Sequence, residues 1–213
     1  ASFYERAGVF KTLGGDTGSV SVVGAVSPPG GDFTEPVTTH TLRYVKAFWL
    51  LDPNLAYSRH YPAVNWVSSY SAYSEQLEKW WSENVTPDFA ETKRKALDIL
   101  YREEELRNIV RLLGPDVLPE EEKLVLEVAN MVKDGFLKQS AYHEVDRYTP
   151  PMVQYQLMKL IITFYEKGLE KIRSGSTVDQ LKSGDTYLQI TRARFNLTSD
   201  QVYEQLMKKV MSI

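Results

Sequence analysis

Residues 87–113 decide the fold, and their sequence is PDFAETKRKALDILYREEELRNIVRLL. Apolar side chains recur along this stretch at the three- and four-residue spacing of one helix face. They are Phe89, Leu97, Leu100, Tyr101, Ile109 and Leu112. Gly114 and Pro115 follow directly, and such a pair commonly ends a helix. The stretch therefore predicts a long amphipathic helix, which would be about 40 Å in length if uninterrupted.

Further helical segments follow it. One is expected to begin at Pro119 with residues 120–122, all glutamate, in its first turn, where proline and negative charge are both favourable. Another should run from about residue 151 to residue 173, where Ser-Gly follows. The last is expected to begin at Thr198, because Gln201 three residues later completes a capping-box pattern. Together these segments predict a helical bundle.

The chain before residue 72 has a different character. Residues 17–26, TGSVSVVGAV, alternate small or polar side chains with apolar ones, which predicts a strand. Residues 27–32, SPPGGD, form a rigid loop, since proline and glycine break helices and strands. One strand cannot form a sheet, so its partners are expected from sequence outside this chain. We predict a mainly α fold, with the end of a truncated α/β unit over residues 1–72 and a helical domain over residues 73–213.

Composition excludes several classes of function. The 213 residues carry a net charge of −3 and no cysteine, which argues against nucleic-acid binding, disulfides and zinc–thiolate sites. No stretch approaches the roughly 18 apolar residues that span a bilayer. The chain opens at Ala1 without an initiator methionine or a signal-peptide pattern, which favours a piece of a longer protein, although processing would give the same start.

Catalytic motifs are absent from the sequence. The glycine cluster at residues 14–19 lacks the lysine of a phosphate loop and precedes a strand, so a turn is expected there. His40, His60 and His143 show no helical metal-binding spacing and are expected to be structural. The acidic run at residues 103–105 is expected to form a solvated helix face. We therefore predict no catalytic residue and no metal ligand in this chain.

Residues 18–37, GSVSVVGAVSPPGGDFTEPV, closely resemble the catalytic A subunit of archaeal and vacuolar-type rotary ATPases. The resemblance continues through the segments LRYVKAFW (42–49), RHYPAVNW (59–66), SSYS (68–71) and QSAYHEVD (139–146). It implies that residues 1–72 end a P-loop-type nucleotide-binding domain and that residues 73–213 form the C-terminal helical domain. In the family, the phosphate loop, the carboxylate that activates water and the magnesium site all lie upstream of these segments.

The resemblance also implies roles for individual residues. Tyr61 is similar to the aromatic residue that packs against adenine, and Tyr142 is similar to the second aromatic residue of that pocket. Asp32 and Glu35 resemble an acidic loop that contacts the central rotor. Glu120, Glu121 and Glu122 lie in a segment similar to the acidic helix-turn-helix tip that pushes on the rotor. From spacing alone, both tyrosines would be interpreted as core or loop aromatics.

The implied function is ATP hydrolysis or synthesis coupled to proton or sodium transport. ATP or ADP with Mg²⁺ would bind the full-length protein, whereas this chain alone is expected to be inactive and to hold no cofactor. The implied partners are the non-catalytic B subunit in an alternating ring, the central rotor stalk and the peripheral stalk. The complex would lie on the cytoplasmic face of the cell membrane, and this chain would contact the membrane only indirectly, through the complex. The alternatives are a helical scaffold that binds proteins without nucleotide and, less favoured, a hydrolase that uses the histidines.

Overall fold

A computed structural model of the protein describes residues 2–213. The strands are β1 (Gly8–Lys11), β2 (Thr17–Val20), β3 (Ala47–Phe48) and β4 (Tyr70–Ser71). The α-helices before residue 120 are α1 (Pro36–Leu42), α2 (Pro53–Tyr57), α3 (Ser74–Asn84) and α4 (Phe89–Leu113). Those after it are α5 (Glu120–Val132), α6 (Pro151–Arg173), α7 (Val178–Ser183), α8 (Asp185–Thr191), α9 (Ala193–Asn196) and α10 (Asp200–Met211). Short 3-10 turns cover Tyr4–Arg6, Pro29–Gly31 and Pro115–Val117, and a π-helical turn covers Lys133–Leu137.

The first 72 residues contain two small antiparallel sheets. Strand β1 pairs with β2, with Gly8 opposite Val20 and Lys11 opposite Thr17, and β3 pairs with β4. The strand predicted over 17–26 is therefore correct only to Val20, and one partner of it, β1, lies within this chain. The hairpin closes because Gly15 has a φ of 92° and the Thr12 amide donates to the Asp16 carbonyl over 2.7 Å. The first part of the glycine cluster is thus a turn, as predicted, whereas residues 17–19 belong to β2.

The predicted long helices are present. Helix α4 ends at Leu113, before Gly114, whose φ of 85° suits glycine, and α6 covers the expected residues 151–173. Helix α5 begins at Glu120, with Pro119 one position before it. The buried face of α4 differs from the predicted one. Phe89 and Leu100 are buried, but the later members of the predicted stripe are exposed: Tyr101, Ile109 and Leu112.

The expected capping box at Thr198 is wrong. Helix α10 begins at Asp200, and its N-cap Ser199 makes no side-chain cap bond. The amide of Thr198 donates instead to the carbonyl of Asn196 over 2.9 Å, so Thr198 belongs to the preceding turn. A capping box does occur at the start of α7, where the Thr177 hydroxyl and the Gln180 side chain bond each other's backbone amides.

The core lies between α4, α5 and α6, with α8 and α10 packed against them. Leu124, Val128 and Leu160 are completely buried. Gly168 allows α6 to approach α5 and α7 closely, because a Cβ at that position would lie 3.1 Å from the Leu124 Cδ2 atom. Within residues 2–213 no helix is both long enough and apolar enough to span a membrane.

Candidate functional site

Tyr61 lies on an irregular segment that follows α2. The residue is 54% exposed, and its hydroxyl donates to the carbonyl of Ala56 over 3.4 Å. The segment turns at Arg59, which has a φ of 58°, and the amide of His60 donates to the carbonyl of Leu55 over 2.9 Å. These bonds hold the backbone while leaving one aromatic surface of Tyr61 accessible. Such a surface can stack against a planar ring.

Tyr142 lies in the loop that joins the π-helical turn at Lys133–Leu137 to α6. Its side chain is completely exposed. The loop adjoins the Tyr61 segment, because the amide of Gln139 donates to the carbonyl of Tyr61 over 2.7 Å. The two segments that carry the predicted adenine-pocket tyrosines are therefore joined directly, although they are far apart in sequence.

A buried ion pair near the Tyr61 segment was not predicted from the sequence. The Lys133 ammonium lies 2.7 Å from a carboxylate oxygen of Glu103, and the two side chains are 10% and 7% exposed. Glu103 also accepts from Arg107, with the Nε atom at 3.0 Å. The prediction of a solvated acidic face at 103–105 is thus wrong for Glu103, while Glu104 and Glu105 are exposed. Glu103 follows Ala96 and Leu100 in helical phase, so it lies on the buried face of α4.

The same ion pair reaches the segment that carries Tyr61. The ammonium of Lys133 lies 5.6 Å from the centroid of the Trp66 ring, which packs against the imidazole of His60 at 5.4 Å. Burial lowers the pKa of Lys133, and the nearby Glu103 carboxylate opposes this effect only in part. Burial likewise lowers the pKa of His60, which favours its neutral form. Helix α4 is thus linked through Lys133 to residues 60–66.

The first pair of predicted rotor-contact residues lies before α1. The Asp32 carboxylate accepts from the hydroxyl and the amide of Thr34, at 2.6 and 2.9 Å, and Glu35 caps α1 through the amides of Val37 and Thr38. These hydrogen bonds lower the pKa of both carboxyl groups, which favours their ionised forms. Asp32 is exposed and Glu35 is half-buried.

The other predicted rotor-contact residues, Glu120, Glu121 and Glu122, occupy the first turn of α5. Each carboxylate lies near a cation of the same chain. The pairs are Glu120 with Lys123 at 2.9 Å, Glu121 with Arg173 at 3.0 Å, and Glu122 with Arg102 at 3.7 Å. The end of α4 and the turn that follows it expose apolar side chains, with Leu112 82% and Val117 55% exposed. The structure thus presents a partly neutralised acidic turn beside an apolar tip.

The histidines occupy separate environments. His60 is buried against Trp66, and His143 packs against the ring of Phe195 at 4.7 Å. His40 lines a surface groove with Tyr4 and Tyr44, and the cavity there has a volume of about 320 Å³. In the part of the chain that the structure describes, no three His, Cys, Asp or Glu side chains come together as metal ligands would.

Comparison with known proteins identifies the family. The family described as the C-terminal domain of V and A type ATP synthase matches residues 78–182, and the ATP synthase alpha/beta family, nucleotide-binding domain, matches residues 1–71. The A subunit of the A-type ATP synthase of Methanopyrus kandleri is 50% identical over 99% of this chain, and that of Hyperthermus butylicus is 50% identical over 95%. The chain covers only 36% and 34% of these two relatives.

A solved structure supports the fold. It is titled "Structure of a unique ATP synthase subunit NeqB from Nanoarcheaum equitans" and aligns with a TM-score of 0.57 and 23% identity, covering 77% of this chain and 39% of that one. The mainly α fold, with a helical domain after part of a nucleotide-binding domain, is confirmed. The resemblance carried by residues 18–37 is confirmed as well. The chain therefore belongs to the V- and A-type ATP synthase family, in which its relatives are A subunits.

Proposed function

We propose that this chain acts within the catalytic A subunit of a V- or A-type rotary ATPase. Such a complex couples ATP hydrolysis or synthesis to the transport of protons or sodium ions. The observation that carries the proposal is the 50% identity to the A subunit of an A-type ATP synthase over 99% of the chain. A helical scaffold that binds proteins without nucleotide is less favoured, because the similarity to A subunits extends over 99% of the chain and so spans the segments around Tyr61 and Tyr142 as well as the core.

We assign Tyr61 and Tyr142 to the adenine end of the nucleotide pocket. Both rings are exposed, and the Gln139–Tyr61 backbone bond joins the segments that carry them. Stacking of a base on an aromatic side chain contributes about 1–3 kcal/mol and tolerates tyrosine in place of phenylalanine. ATP or ADP would enter with Mg²⁺, whose charge would be balanced by phosphate oxygens and by residues outside this chain.

The proposal assigns mechanical roles to the rest of the chain. The B subunit would complete each nucleotide site in an alternating ring, and the peripheral stalk would hold that ring fixed. Asp32, Glu35 and the α4–α5 turn with residues 120–122 would contact the central rotor stalk. Acidic groups there would be attracted to a basic shaft. The Lys133 link between the Tyr61 segment and α4 supports this assignment, since movement at the pocket would reach the far end of the helix. The complex would lie on the cytoplasmic face of the membrane.

Replacement of Tyr61 tests the proposed pocket. In the assembled ATPase, Tyr61→Ala should weaken nucleotide affinity by about tenfold, the size of one lost stacking contact. Tyr57→Ala is the matched control, because Tyr57 is 85% exposed on neighbouring α2 and has no assigned role. Affinity can be measured by equilibrium titration with a fluorescent adenine nucleotide. Equal affinity in the Tyr61 variant and the parent would show that the aromatic residue is wrongly assigned.

The isolated chain provides a second test. Purified residues 1–213 should hydrolyse no ATP, because the sequence contains no Gly-x-x-x-x-Gly-Lys-Ser/Thr motif to hold the terminal phosphate. Phosphate release from highly purified chain is the measurement, and contaminating enzyme is excluded by comparing variants. Turnover that disappears when any residue of this chain is replaced would contradict the proposal.

A further inference from the structure

The loop that carries Tyr142 is closed by one charged pair. Asp146 is 2% exposed, and its carboxylate accepts from the amide of Ser140 over 2.6 Å and from the Nη1 atom of Arg194 over 2.9 Å. The same Nη1 atom donates to the carbonyl of Lys138. Arg194 therefore binds both ends of the segment 138–146, with Tyr142 between them. We name this segment the Tyr142 loop.

Arg194 is itself held firmly against the loop. It belongs to α9, its side chain is 11% exposed, and its guanidinium lies 4.2 Å from the centroid of the Phe195 ring. The Phe195 ring also contacts the Tyr142 loop, because the His143 ring packs against it with the two ring centroids 4.7 Å apart. The Nε atom of Arg194 is buried without an acceptor, which costs free energy. The Nη1 atom of Arg194 thus keeps its contacts with Asp146 and the Lys138 carbonyl although the burial of Nε is unfavourable.

The anchored loop also holds the segment of Tyr61. Gln139 lies inside the Tyr142 loop, next to Ser140, and its amide donates to the carbonyl of Tyr61. A shift of the loop would therefore move Tyr142 and, at the same time, weaken the hydrogen bond from Gln139 to Tyr61. A loop fixed before binding loses less conformational entropy when a ligand arrives, so its ligand binds more tightly.

We propose that Arg194 is a positioning residue that fixes the Tyr142 loop through Asp146 and the Lys138 carbonyl, and so orients the aromatic residues that contact adenine. The adenine contact in this inference rests on the proposed function, whereas the anchoring of the loop does not. Lysine cannot replace arginine here, because one ammonium on a flexible stem does not reproduce the shape and stacking of the guanidinium.

Hydrogen exchange in the 213-residue chain tests the anchoring without nucleotide. In Arg194→Lys and Arg194→Ala, the amides of residues 139–146 should exchange about tenfold faster or more, while those of α6 stay protected. Arg192→Ala is the matched control, because Arg192 is exposed just before α9. Unchanged exchange in the loop of a folded Arg194→Lys variant would overturn the proposal. If Arg194→Ala does not fold, Asp146→Asn provides the second variant, with the same expected result.

Steady-state kinetics of the assembled ATPase test the effect on nucleotide. Arg194→Lys should raise the KM for ATP by up to about tenfold, in line with Tyr142→Ala, and leave kcat within about twofold. The double variant should be no worse than the poorer single variant, since both changes remove the same contact. Multiplied effects, or a loss confined to kcat, would overturn the positioning role.

The two experiments separate the inference from the function on which it rests. If Tyr61→Ala and Tyr142→Ala both leave the KM unchanged, the adenine assignment fails and the effect of Arg194 on nucleotide fails with it. The exchange result still decides whether Arg194 fixes the loop. If the tyrosine variants raise the KM but Arg194→Lys does not, the adenine assignment stands and the role of Arg194 is overturned.

Discussion

Lys133 shows how a single buried charge depends on its partner. Its ion pair with Glu103 is almost completely removed from water, and burial lowers the pKa of the Lys133 ammonium despite that partner. Removing charges from water costs several kcal/mol per ion, so the pair is not a large net source of stability. Removal of Lys133 would nevertheless be costly, because the Glu103 carboxylate would remain buried with its charge only partly compensated.

We expect Lys133→Met to lower the free energy of unfolding by about 3 kcal/mol, at the low end for a broken buried pair because Arg107 still contacts Glu103. Urea unfolding followed by circular dichroism measures the change. Lys95→Met is the control, since Lys95 pairs with Glu166 at an exposed position and should cost less than about 1 kcal/mol. Adding Glu103→Leu should recover part of the loss. A Lys133→Met variant as stable as the parent would contradict this account.

Asp88 gives a prediction for low pH. Burial alone would raise the pKa of this carboxyl group, but hydrogen bonds from Lys159, Thr86 and Tyr155 outweigh burial and lower its pKa from 3.8 to about 2. A carboxyl with a lower pKa in the folded state stabilises the protein above pH 3.8, and that stability disappears as the pH falls towards 2. Asp88→Asn should therefore reduce stability at pH 7 and flatten its decline between about pH 4 and 2.

Unfolding at a series of pH values measures this effect of Asp88. Asp98→Asn is the control, because Asp98 is exposed on α4, the helix that Asp88 precedes. The control should stay within about 0.5 kcal/mol of the parent protein at pH 7, as an exposed substitution does. If the Asp88 variant follows the parent protein from pH 7 to 2, the three hydrogen bonds do not stabilise the folded state as the structure indicates.

At the scale of elements, helix ends test how well a local pattern predicts a cap. Thr177→Ala removes a side-chain cap of α7 and should lower the unfolding free energy by about 1 kcal/mol. Thr198→Ala should have almost no effect, although the sequence around Thr198 has the same pattern, because α10 begins two residues later. Thermal unfolding of both variants measures the difference. Equal losses would mean that Thr198 does cap a helix.

Long helices could be predicted from the sequence, whereas short elements could not. Helix α6 repeats its apolar face over many turns, so its bounds were predictable. Strand β1 has only four residues, too few to show a period, and its pairing depends on the turn at Gly15. The burial of Glu103 was partly signalled by its phase with Leu100, but its partner Lys133 lies on another helix and follows only from packing.

At the scale of the whole molecule, the candidate site depends on contacts between distant segments. The resemblance to rotary ATPases indicated Tyr61 and Tyr142 separately. The bond between Gln139 and Tyr61, and the anchoring of the loop by Arg194, join residues far apart in sequence and carry no local pattern. Sequence could therefore suggest candidate residues, but the contacts that join their segments required the three-dimensional structure.

The distribution of buried residues bears on the predicted boundary at residue 72. The buried hydrophobic cluster is formed entirely by residues between Ala96 and Val210, and Trp66 packs only at its edge. Residues 73–213 alone should therefore fold, with strong helical circular dichroism and a cooperative thermal transition. A slightly shorter piece, residues 86–213, is the comparison. It lacks Trp81, whose ring stacks on Phe89 at 4.2 Å, and should be less stable by about 1 kcal/mol or more.

The two pieces together show whether the first 72 residues are needed to build the bundle or only to cover its edge. Loss of residues 1–72 removes Trp66 from Lys133, but it also lets water reach that ammonium, so the two effects oppose each other. Residues 73–213 should therefore unfold close to the parent temperature. A non-cooperative transition would mean that the helical domain needs the preceding segment, and the boundary at residue 72 would then be wrong.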